Sequence, residues 1–271
     1  MQAVLRHQPA DSDGCPPGRR DAEKLIQHAT PDESTDTDAQ WEPLLPHVIA
    51  LAETTPPHSP ASTDTAGVYH AAARYLDRIG RDAHTISLRT AALALREQVL
   101  GDTHPQTLAS RNDLACAYQA AGDLGRAISL HEATLALRER VLGDAHPDTL
   151  ASRNNLAYAI ASAGDLPRAI SMYEATLAQC EQALGDAQPE TVATRSDLAC
   201  AYQAAGDLER AISLHEATLA LRERVLGATH PQTLASRHNL AHARRAAQAA
   251  QRRSTAPSSS TGDPRQSSAT D

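Results

Sequence analysis

The amino-acid sequence predicts an all-α protein built as a solenoid of antiparallel helix pairs. The first observation is a repeat: the pentapeptide that begins at Gly101 returns in related form at Gly143, Gly185 and Gly227, with a constant period of 42 residues. The second is that apolar residues inside each copy recur at three- and four-residue steps, the spacing of one helix face. The third is a Gly-Asp pair that divides each copy into two helices. Periods of about 20 to 50 residues are typical of solenoids and other arrays.

The first helix of each copy, helix A, is predicted to begin at a proline such as Pro105. A proline lacks the N–H that a first turn leaves unbonded, and one of the three residues before it, Asp102, Thr103 or His104, can cap the helix. The packing stripe of helix A is Leu108, Arg111, Leu114, Ala115 and Tyr118. The apolar side of the second helix, helix B, is Ala127, Ile128, Leu130, Leu135 and Val141. Because two such helices cannot bury their stripes against each other alone, each pair is expected to stack on the next.

Glycine residues mark the predicted helix ends. Gly122, Gly164 and Gly206 each precede an aspartate. Glycine accepts the left-handed conformation that closes a helix, and aspartate caps the helix that follows. We therefore expect a positive φ at Gly164, and Gly143 closes the first full helix B in the same manner.

The run Leu-Ala-Cys-Ala-Tyr, followed by Gly-Asp-Leu and then Ala-Ile, resembles a tetratricopeptide repeat. The signature positions of that family are occupied by Leu114, Ala115, Tyr118 and Ala127. The usual period of the family is about 34 residues, so the present repeat is a longer form. Its linking sequence Leu-Gly-Asp-x-His-Pro and its Asn154-Asn155 pair in helix A resemble the kinesin-light-chain type. The resemblance implies a right-handed superhelical solenoid whose A helices line a concave groove.

The repeat period also predicts the organisation of the whole chain. We expect an N-terminal helical and linker segment, partly disordered, at 1–40, a docking helix and linker at 41–58, a repeat array at 59–251 and a disordered tail at 252–271. Within the array we expect a degenerate repeat at 59–100, full repeats at 101–142, 143–184 and 185–226, and a capping helix at 227–251.

The N-terminal region is predicted to hold two helices that are not repeats. Arg19 to His28 form a short helix, an acidic linker runs from Thr30 to Gln40, and a second helix covers Trp41 to Ala52. This second helix is expected to dock on the first repeat. Its apolar side is Leu44, Leu45, Val48, Ile49 and Ala52.

The last helix, from Pro231 to about Gln251, is predicted to cap the array because no helix B follows it. Its predicted packing stripe is Leu234, Arg237, Leu240 and Ala241. The incomplete repeat leaves an apolar edge. Weak self-association through the ends of the array is therefore a further prediction.

Residues 1–6, the acidic spacer and the helix from Trp41 to Ala52 also resemble the connector between motor and repeats in actinobacterial NB-ARC regulators of the STAND class. This resemblance implies an alternative function, in which the chain is the detached sensor fragment of an ATP-dependent signalling regulator, inactive without its motor domain. No G-x-x-x-x-G-K-[ST] phosphate loop occurs in the sequence. We therefore expect no nucleotide hydrolysis by this chain.

Composition and charge restrict the classes of partner. A net charge of −8 at pH 7 argues against a nucleic-acid partner, for which a basic face is typical. No run of about 18 apolar residues is present, and Met1 to His7 lacks the apolar core of a signal peptide. We therefore expect a cytoplasmic protein with no membrane partner and with its four cysteines as free thiols.

No residue pattern predicts catalysis, a metal ion or a cofactor. His131 and His215, which stand where the family prefers an aromatic residue, are each followed by glutamate as in a zinc-protease motif. A leucine, however, occupies the position of the required second histidine. Three further histidines are repeat equivalents at helix starts, too far apart to share one zinc ion: His104, His146 and His230. We expect a protein that is not an enzyme and binds no cofactor or metal.

The predicted binding site is the polar face of the A helices that is not used for packing. Helix by helix, its residues are Asn112, Asp113, Cys116 and Gln119; Asn154, Asn155 and Tyr158; Ser196, Asp197, Cys200 and Gln203; and His238, Asn239 and His242. Amide side chains both donate and accept hydrogen bonds, so a ladder of them suits the backbone of an extended peptide. Specificity would come from Tyr158, the aspartates and the histidines. The expected partner is a protein or peptide; ordinary solvated polar residues are the alternative.

Overall fold

The computed structural model describes residues 19–30, 38–54 and 63–255, and all regular secondary structure in these ranges is α-helical. The helices are α1 (Arg19–Ala29), α2 (Asp38–Glu53), α3 (Thr63–Arg78), α4 (Asp82–Leu100), α5 (Pro105–Ala120), α6 (Leu124–Leu142), α7 (Pro147–Ser162), α8 (Leu166–Ala183), α9 (Pro189–Ala205), α10 (Leu208–Leu226) and α11 (Pro231–Thr255). The predicted all-α fold is confirmed. Helix A of the three full repeats is α5, α7 and α9, and helix B is α6, α8 and α10.

The His-Pro pairs start the A helices. At α5 the ring nitrogen Nδ1 of His104 accepts a hydrogen bond of 3.2 Å from the backbone N–H of Gln106, so this histidine is the cap and Pro105 is the first helical residue. His146 and His230 cap α7 and α11 in the same geometry, at 3.1 and 3.2 Å. Each histidine thereby satisfies one of the amides that a helix start leaves unbonded.

Glycines end the A helices in the predicted conformation. The backbone φ is 92° at Gly164, 81° at Gly122 and 85° at Gly206. These values lie in the left-handed region, where a side chain is strained. The expected positive φ at Gly164 is confirmed.

The last helix is longer than predicted because it lacks this glycine. Gln248 stands one period after Gly206, and α11 continues through it to Thr255. Glutamine has no preference for the left-handed conformation, so no turn ends α11 at this position, and the helix runs four residues beyond the expected end at residue 251. The remainder of the predicted tail, 256–271, lies outside the described residues, as do Met1 to Arg6 of the N-terminal resemblance.

The described residues form two compact units, one up to residue 194 and the other from residue 195 onward. In the first unit α3 packs on α4, and the helices from α4 to α8 pack each on the next. In the second unit α10 packs on α11. No helix follows α11 in the part of the chain that the structure describes.

Two side-chain bridges join α4 to α5 and α6 to α7 in the first unit. Arg153 of α7 donates to Oε1 of Glu139 of α6 at 2.6 Å. Arg138 of α6 donates to Oγ of Ser152 at 2.7 Å and to the backbone carbonyl of Asp148 at 2.9 Å. The same two contacts occur between α4 and α5 as Arg111–Glu97 and Arg96–Ser110. Because the two bridges recur at the same repeat positions, the sequence period fixes how α5 packs on α4 and how α7 packs on α6.

The two N-terminal helices pack on the first repeat. Trp41 of α2 stacks on Tyr75 of α3, with ring centroids 6.2 Å apart and 22° between the planes. The buried residues of α2 are Trp41, Leu45, Val48 and Leu51. The other members of the predicted apolar side, Leu44, Ile49 and Ala52, are only half-buried. The buried side is rotated toward Trp41 because the indole ring is the largest apolar surface on the helix.

The buried side of helix B is also different from the predicted aliphatic one. In α6 it consists of Ala127, His131, Thr134 and Arg138. Of the predicted set, Ile128, Leu130 and Leu135 are half-buried and Val141 is 47% exposed. Helix α6 lies between α5 and α7, and its most enclosed positions take small or polar side chains. Thr134 donates to the carbonyl of Leu130 at 2.7 Å, whereas neither ring nitrogen of His131 has a hydrogen-bond partner among the described residues.

The last helix buries a narrower side than predicted. Its buried residues are Thr233, Ser236, Leu240 and Ala243. Leu234 is 49% exposed, and Arg237 and Ala241 are exposed as well. Only Leu240 of the predicted stripe is buried, because α10 covers one side of α11 and no described helix B covers the other.

Candidate binding face on the A helices

The fourteen predicted binding residues all retain solvent-accessible surface. Each is half-buried or exposed, and none belongs to the core. Those on α5 and α7 belong to the first unit, and those after residue 194 on α9 and α11 belong to the second. The prediction that this side of the A helices is not used for packing therefore agrees with the burial pattern.

Hydrogen bonds between side chains join α5 to α7 on this face. Nδ2 of Asn155 donates to Oδ1 of Asn112 at 2.9 Å. Nε2 of Gln119 donates to Oγ of Ser162 at 3.1 Å, and Ser162 itself was not among the predicted residues. Three of the predicted amides, Asn112, Asn155 and Gln119, are thus held in fixed orientations rather than free in solvent.

Tyr158 lies on α7 within this polar row and is 55% exposed. An aromatic ring left so exposed is a common feature of binding surfaces, since its apolar area gains from being covered. The residues that occupy the position of Tyr158 in the other A helices are Cys116 on α5, Cys200 on α9 and His242 on α11. This position therefore differs between otherwise similar repeats, which favours a role in recognition over one in packing.

The face of the second unit has the same kind of contact. Nε2 of Gln203 on α9 and Nδ1 of His242 on α11 are 2.8 Å apart. His238 and Cys200 are exposed beside them. Asn239 and Ser196 are half-buried.

Next to this face, the degenerate repeat 59–100 places charged residues that were not among the predicted ones. Nδ1 of His70 on α3 lies 3.5 Å from Oδ2 of Asp113, and Arg89 of α4 bonds to both Asp77 and the backbone carbonyl of Asp113. Burial lowers the pKa of His70, and the charge of Asp113 opposes that effect. His70 and Asp77 stand one period before Asn112 and Gln119. The period itself was the signal that could have identified them.

The exposed thiols of the face are poor nucleophiles. Burial of the sulfur first, and then the charge of Asp113, raise the pKa of Cys116. Burial and Asp197 do the same for the pKa of Cys200. Since the thiolate is the reactive form, these cysteines fit a contact role better than catalysis. Cys116, Cys180 and Cys200 are free thiols.

The histidines considered as metal ligands have other roles. His131 is fully buried, and burial together with Arg138 lowers its pKa to about 4. His215 is buried too, and burial lowers its pKa. The three histidines of the His-Pro pairs cap helices. Across residues 19–30, 38–54 and 63–255, no group of three or more His, Cys, Asp or Glu side chains is placed to hold a metal ion.

Family models of the tetratricopeptide repeat match this chain at residues 107–148, 148–224 and 201–252. Together these matches span residues 107–252, more than half of the chain. The chain therefore belongs to the tetratricopeptide-repeat family. Repeats of this family generally mediate protein–protein interaction, and the fold is a non-catalytic scaffold type.

Solved structures with the same fold point to its kinesin-light-chain-like members. A candidate kinesin light chain from Podosopora anserina, described as nearly identical TPR-like repeats, is 28% identical with a TM-score of 0.57 over 76% of this chain and 95% of that chain. A single-substitution variant of that protein has the same identity and coverage with a TM-score of 0.59. BtubC (BKLC) from P. vanneervenii shares the fold at 21% identity, with a TM-score of 0.58 over 93% of this chain and 95% of that chain. No curated protein matches the chain.

The helices also bear on the question of membrane insertion. Among the described residues, none of them combines the length and the apolar character that crossing a bilayer requires.

Proposed function

We propose that the polar face of the A helices binds an extended segment of a partner protein. The observation that carries this proposal is Tyr158, whose ring is 55% exposed beside side chains already fixed by hydrogen bonds between α5 and α7. An exposed aromatic ring next to oriented polar groups is the arrangement that dominates binding energy in protein interfaces.

The amides of the face suit a peptide backbone. An asparagine or glutamine that uses one group in a bond to its neighbour keeps its other group for a ligand. In Asn155 the nitrogen donates to Asn112, and the carbonyl oxygen of its amide is the group directed to a peptide N–H under this proposal. Because the amides are fixed before binding, a ligand loses less conformational entropy than it would on a flexible surface.

The residues around the amides give the site its selectivity. Tyr158 offers apolar area, and Asp113, whose Oδ2 lies 3.5 Å from Nδ1 of His70, places a carboxylate at one side of the row. Backbone contacts would then supply affinity for many sequences, and the tyrosine and the charges would select among them.

The test is selection of twelve-residue peptides by phage display on the full chain, followed by calorimetric titration of one selected peptide. Tyr158→Ala is expected to weaken binding about thirtyfold. This factor corresponds to the loss of about 2 kcal/mol that removal of an aromatic side chain from an interface typically causes. Val141→Ala is the matched control, because Val141 is similarly exposed at 47% but lies on α6.

Circular dichroism of both variants should show the helicity of the parent chain, since neither side chain is buried. The proposal is contradicted if no peptide is selected, or if Tyr158→Ala and Val141→Ala bind the selected peptide equally well.

A further inference from the structure

The side of α11 that no described helix covers carries two residues, Leu234 and Ala241, whose equivalents are buried in the full repeats. At its edge, Arg244 pairs with Glu216 of α10. Leu234 is 49% exposed, whereas its equivalents Leu108 and Leu150 are each 1% exposed. Ala241 is exposed, whereas its equivalent Ala115 is fully buried. Helices α5 and α7 are each followed by a helix B that packs on them, and in the described chain nothing follows α11. This side, defined by Leu234, Ala241 and Arg244, is called the outer face of α11.

The repeat itself shows what kind of element covers such a face. In the first unit α6 packs on α5 and α8 packs on α7, in both cases as an antiparallel amphipathic helix. The sequence of α11 retains the Thr-Leu-Ala-Ser-Arg and Asn-Leu-Ala segments of α7. The surface presented to a covering helix is therefore largely the one that already binds a helix elsewhere in this protein.

One position of the face selects against this chain's own helix B. Tyr118 on α5 lies under the guanidinium of Arg126 of the following helix, 5.4 Å from the ring centroid, and Tyr202 lies under Arg210 at 5.3 Å. The equivalent residue on α11 is Arg244. An arginine there repels the arginine that every helix B of the full repeats places opposite it.

The second full repeat, 143–184, shows a different contact for the arginine of helix B. There the tyrosine is replaced by Ile160, and Arg168 pairs instead with Glu132 at 3.0 Å. The arginine of helix B thus contacts a tyrosine in the first and third full repeats and a carboxylate in the second. An acidic residue in place of that arginine would attract Arg244 instead of repelling it.

The charge of α11 as a whole also favours an acidic partner. It contains five arginines and no acidic residue, in a chain whose net charge is −8. Arg244 already pairs with Glu216 at 2.7 Å, but a guanidinium has five N–H donors and can bind a second carboxylate. Two α11 helices facing each other would bring arginines together, which disfavours a second copy as the occupant.

We propose that the outer face of α11 docks an acidic amphipathic helix of a partner protein, packed as a helix B packs on helix A. This site is separate from the polar face of the A helices, and either can fail without the other. The apolar stripe of the partner helix covers Leu234 and Ala241, and its acidic residue binds Arg244.

The probes are two 19-residue peptides with the sequence of α6, Leu124–Leu142, one native and one with Arg126→Glu. Both carry an i,i+4 lactam bridge on their solvent side, so that they are helical before binding. Fluorescence anisotropy is measured against the full chain. We expect the Arg126→Glu peptide to bind about fivefold more tightly than the native one, because an attraction replaces a repulsion.

Two variants of the chain test the contacts. Leu234→Gln is expected to weaken binding of the Arg126→Glu peptide about tenfold. The control is Val225→Gln, at a similarly exposed valine of α10, which should leave the affinity for that peptide unchanged. Arg244→Tyr introduces the tyrosine that the first and third full repeats have at this position. This variant should reverse the preference, so that the native peptide binds more tightly.

Several outcomes would overturn the proposal. The proposal is wrong if neither peptide binds, if both peptides bind equally well, or if Arg244→Tyr leaves the preference between them unchanged. A dimer of the full chain in sedimentation equilibrium that Leu234→Gln dissociates would assign the face to a second copy. Binding of a DNA duplex that Arg244→Tyr weakens and Leu234→Gln does not would assign it to nucleic acid.

Discussion

Helices α7 and α11 begin with nearly the same sequence and differ in what surrounds them. Both start at a proline capped by histidine, and both continue Thr-Leu-Ala-Ser-Arg. Leu150 of α7 is 1% exposed, whereas Leu234 of α11 is 49% exposed. Helix α7 has α6 before it and α8 after it, but α11 has only α10 as a sequence neighbour among the described helices.

The comparison teaches that a repeat sequence specifies the helix but its neighbours decide which residues are buried. In a solenoid each helix pair gains stability mainly from the pairs beside it. The same leucine is then a core residue in one copy and a surface residue in another. Substitutions at equivalent positions of α7 and α11 can therefore separate the two contributions.

The largest expected effect is a cavity in the middle of the repeats. Leu150→Ala should lower the free energy of unfolding by about 3 kcal/mol, because it removes a fully enclosed side chain. Leu234→Ala should cost less than about 1 kcal/mol, since half of that side chain is already in water. Urea unfolding followed by circular dichroism measures both variants. Equal losses would show that α11 is as enclosed as α7.

The next effect depends on pH and concerns the helix B that precedes α7. Burial holds the pKa of His131 at about 4 in the folded protein, below the roughly 6.5 of an unfolded histidine. The unfolded chain therefore binds more protons between these values, so stability is complete above about pH 6.5 and falls as the pH is lowered toward about 4. We expect a loss of about 3 kcal/mol over that range.

His131→Tyr, which introduces the residue of the equivalent Tyr173, should remove this part of the acid sensitivity. His215→Tyr on α10 is the companion variant before α11, because burial lowers the pKa of that histidine also. The measurement is urea unfolding at about pH 7 and about pH 4.5. An unchanged acid sensitivity in both variants would show that other groups cause it.

A smaller effect comes from the glycine that ends α7. Gly164 has a φ of 92°, and no atom lies within 4 Å of the position that a Cβ would occupy, so the cost of a side chain is backbone strain alone. Gly164→Val should lower the free energy of unfolding by about 1 to 2 kcal/mol. Gly125→Ala, within helix α6, should raise it by about 0.5 kcal/mol. Thermal unfolding that is the same for both variants would contradict the strain.

The smallest expected effect tests the helix caps. His146→Ala removes the acceptor of the 3.1 Å bond to the amide of Asp148 and should cost about 1 kcal/mol. His146→Asn keeps an acceptor and should restore most of that loss. Hydrogen exchange of the first turn of α7 measures the effect locally, and exchange as slow in the alanine variant as in the parent would argue against the cap.

Much of the fold could be predicted because it is local. Period, proline starts and glycine ends placed the helices, and Leu108, Leu114 and Ala115 are buried as the helix A stripe predicted. The inner side of helix B could not be predicted in this way. Burial of Arg138 depends on Ser152 in the next repeat, a contact that no pattern within one helix reveals.

The position of the candidate face could be predicted in part for the same reason, whereas binding at that face stays a prediction. Its position on the A helices follows from the repeat, and the predicted residues are all accessible. The bond between Asn155 and Asn112 needs the distance between two helices, which the sequence does not give. The resemblance to NB-ARC connectors and the cytoplasmic location stay predictions.

The most direct test of peptide binding to the A-helix face uses a native cysteine as the reporter. Cys116 is exposed on the predicted face, whereas Cys180 is buried and serves as the internal control. Each thiol is followed separately by peptide mass during alkylation with a maleimide at about pH 8.5, where a thiol of raised pKa still reacts.

With a saturating amount of the selected peptide, we expect alkylation of Cys116 to slow about tenfold, because the ligand covers the row beside Asn112 and Tyr158. An unchanged rate at Cys116 with the peptide fully bound would place the ligand elsewhere and contradict peptide binding to this face.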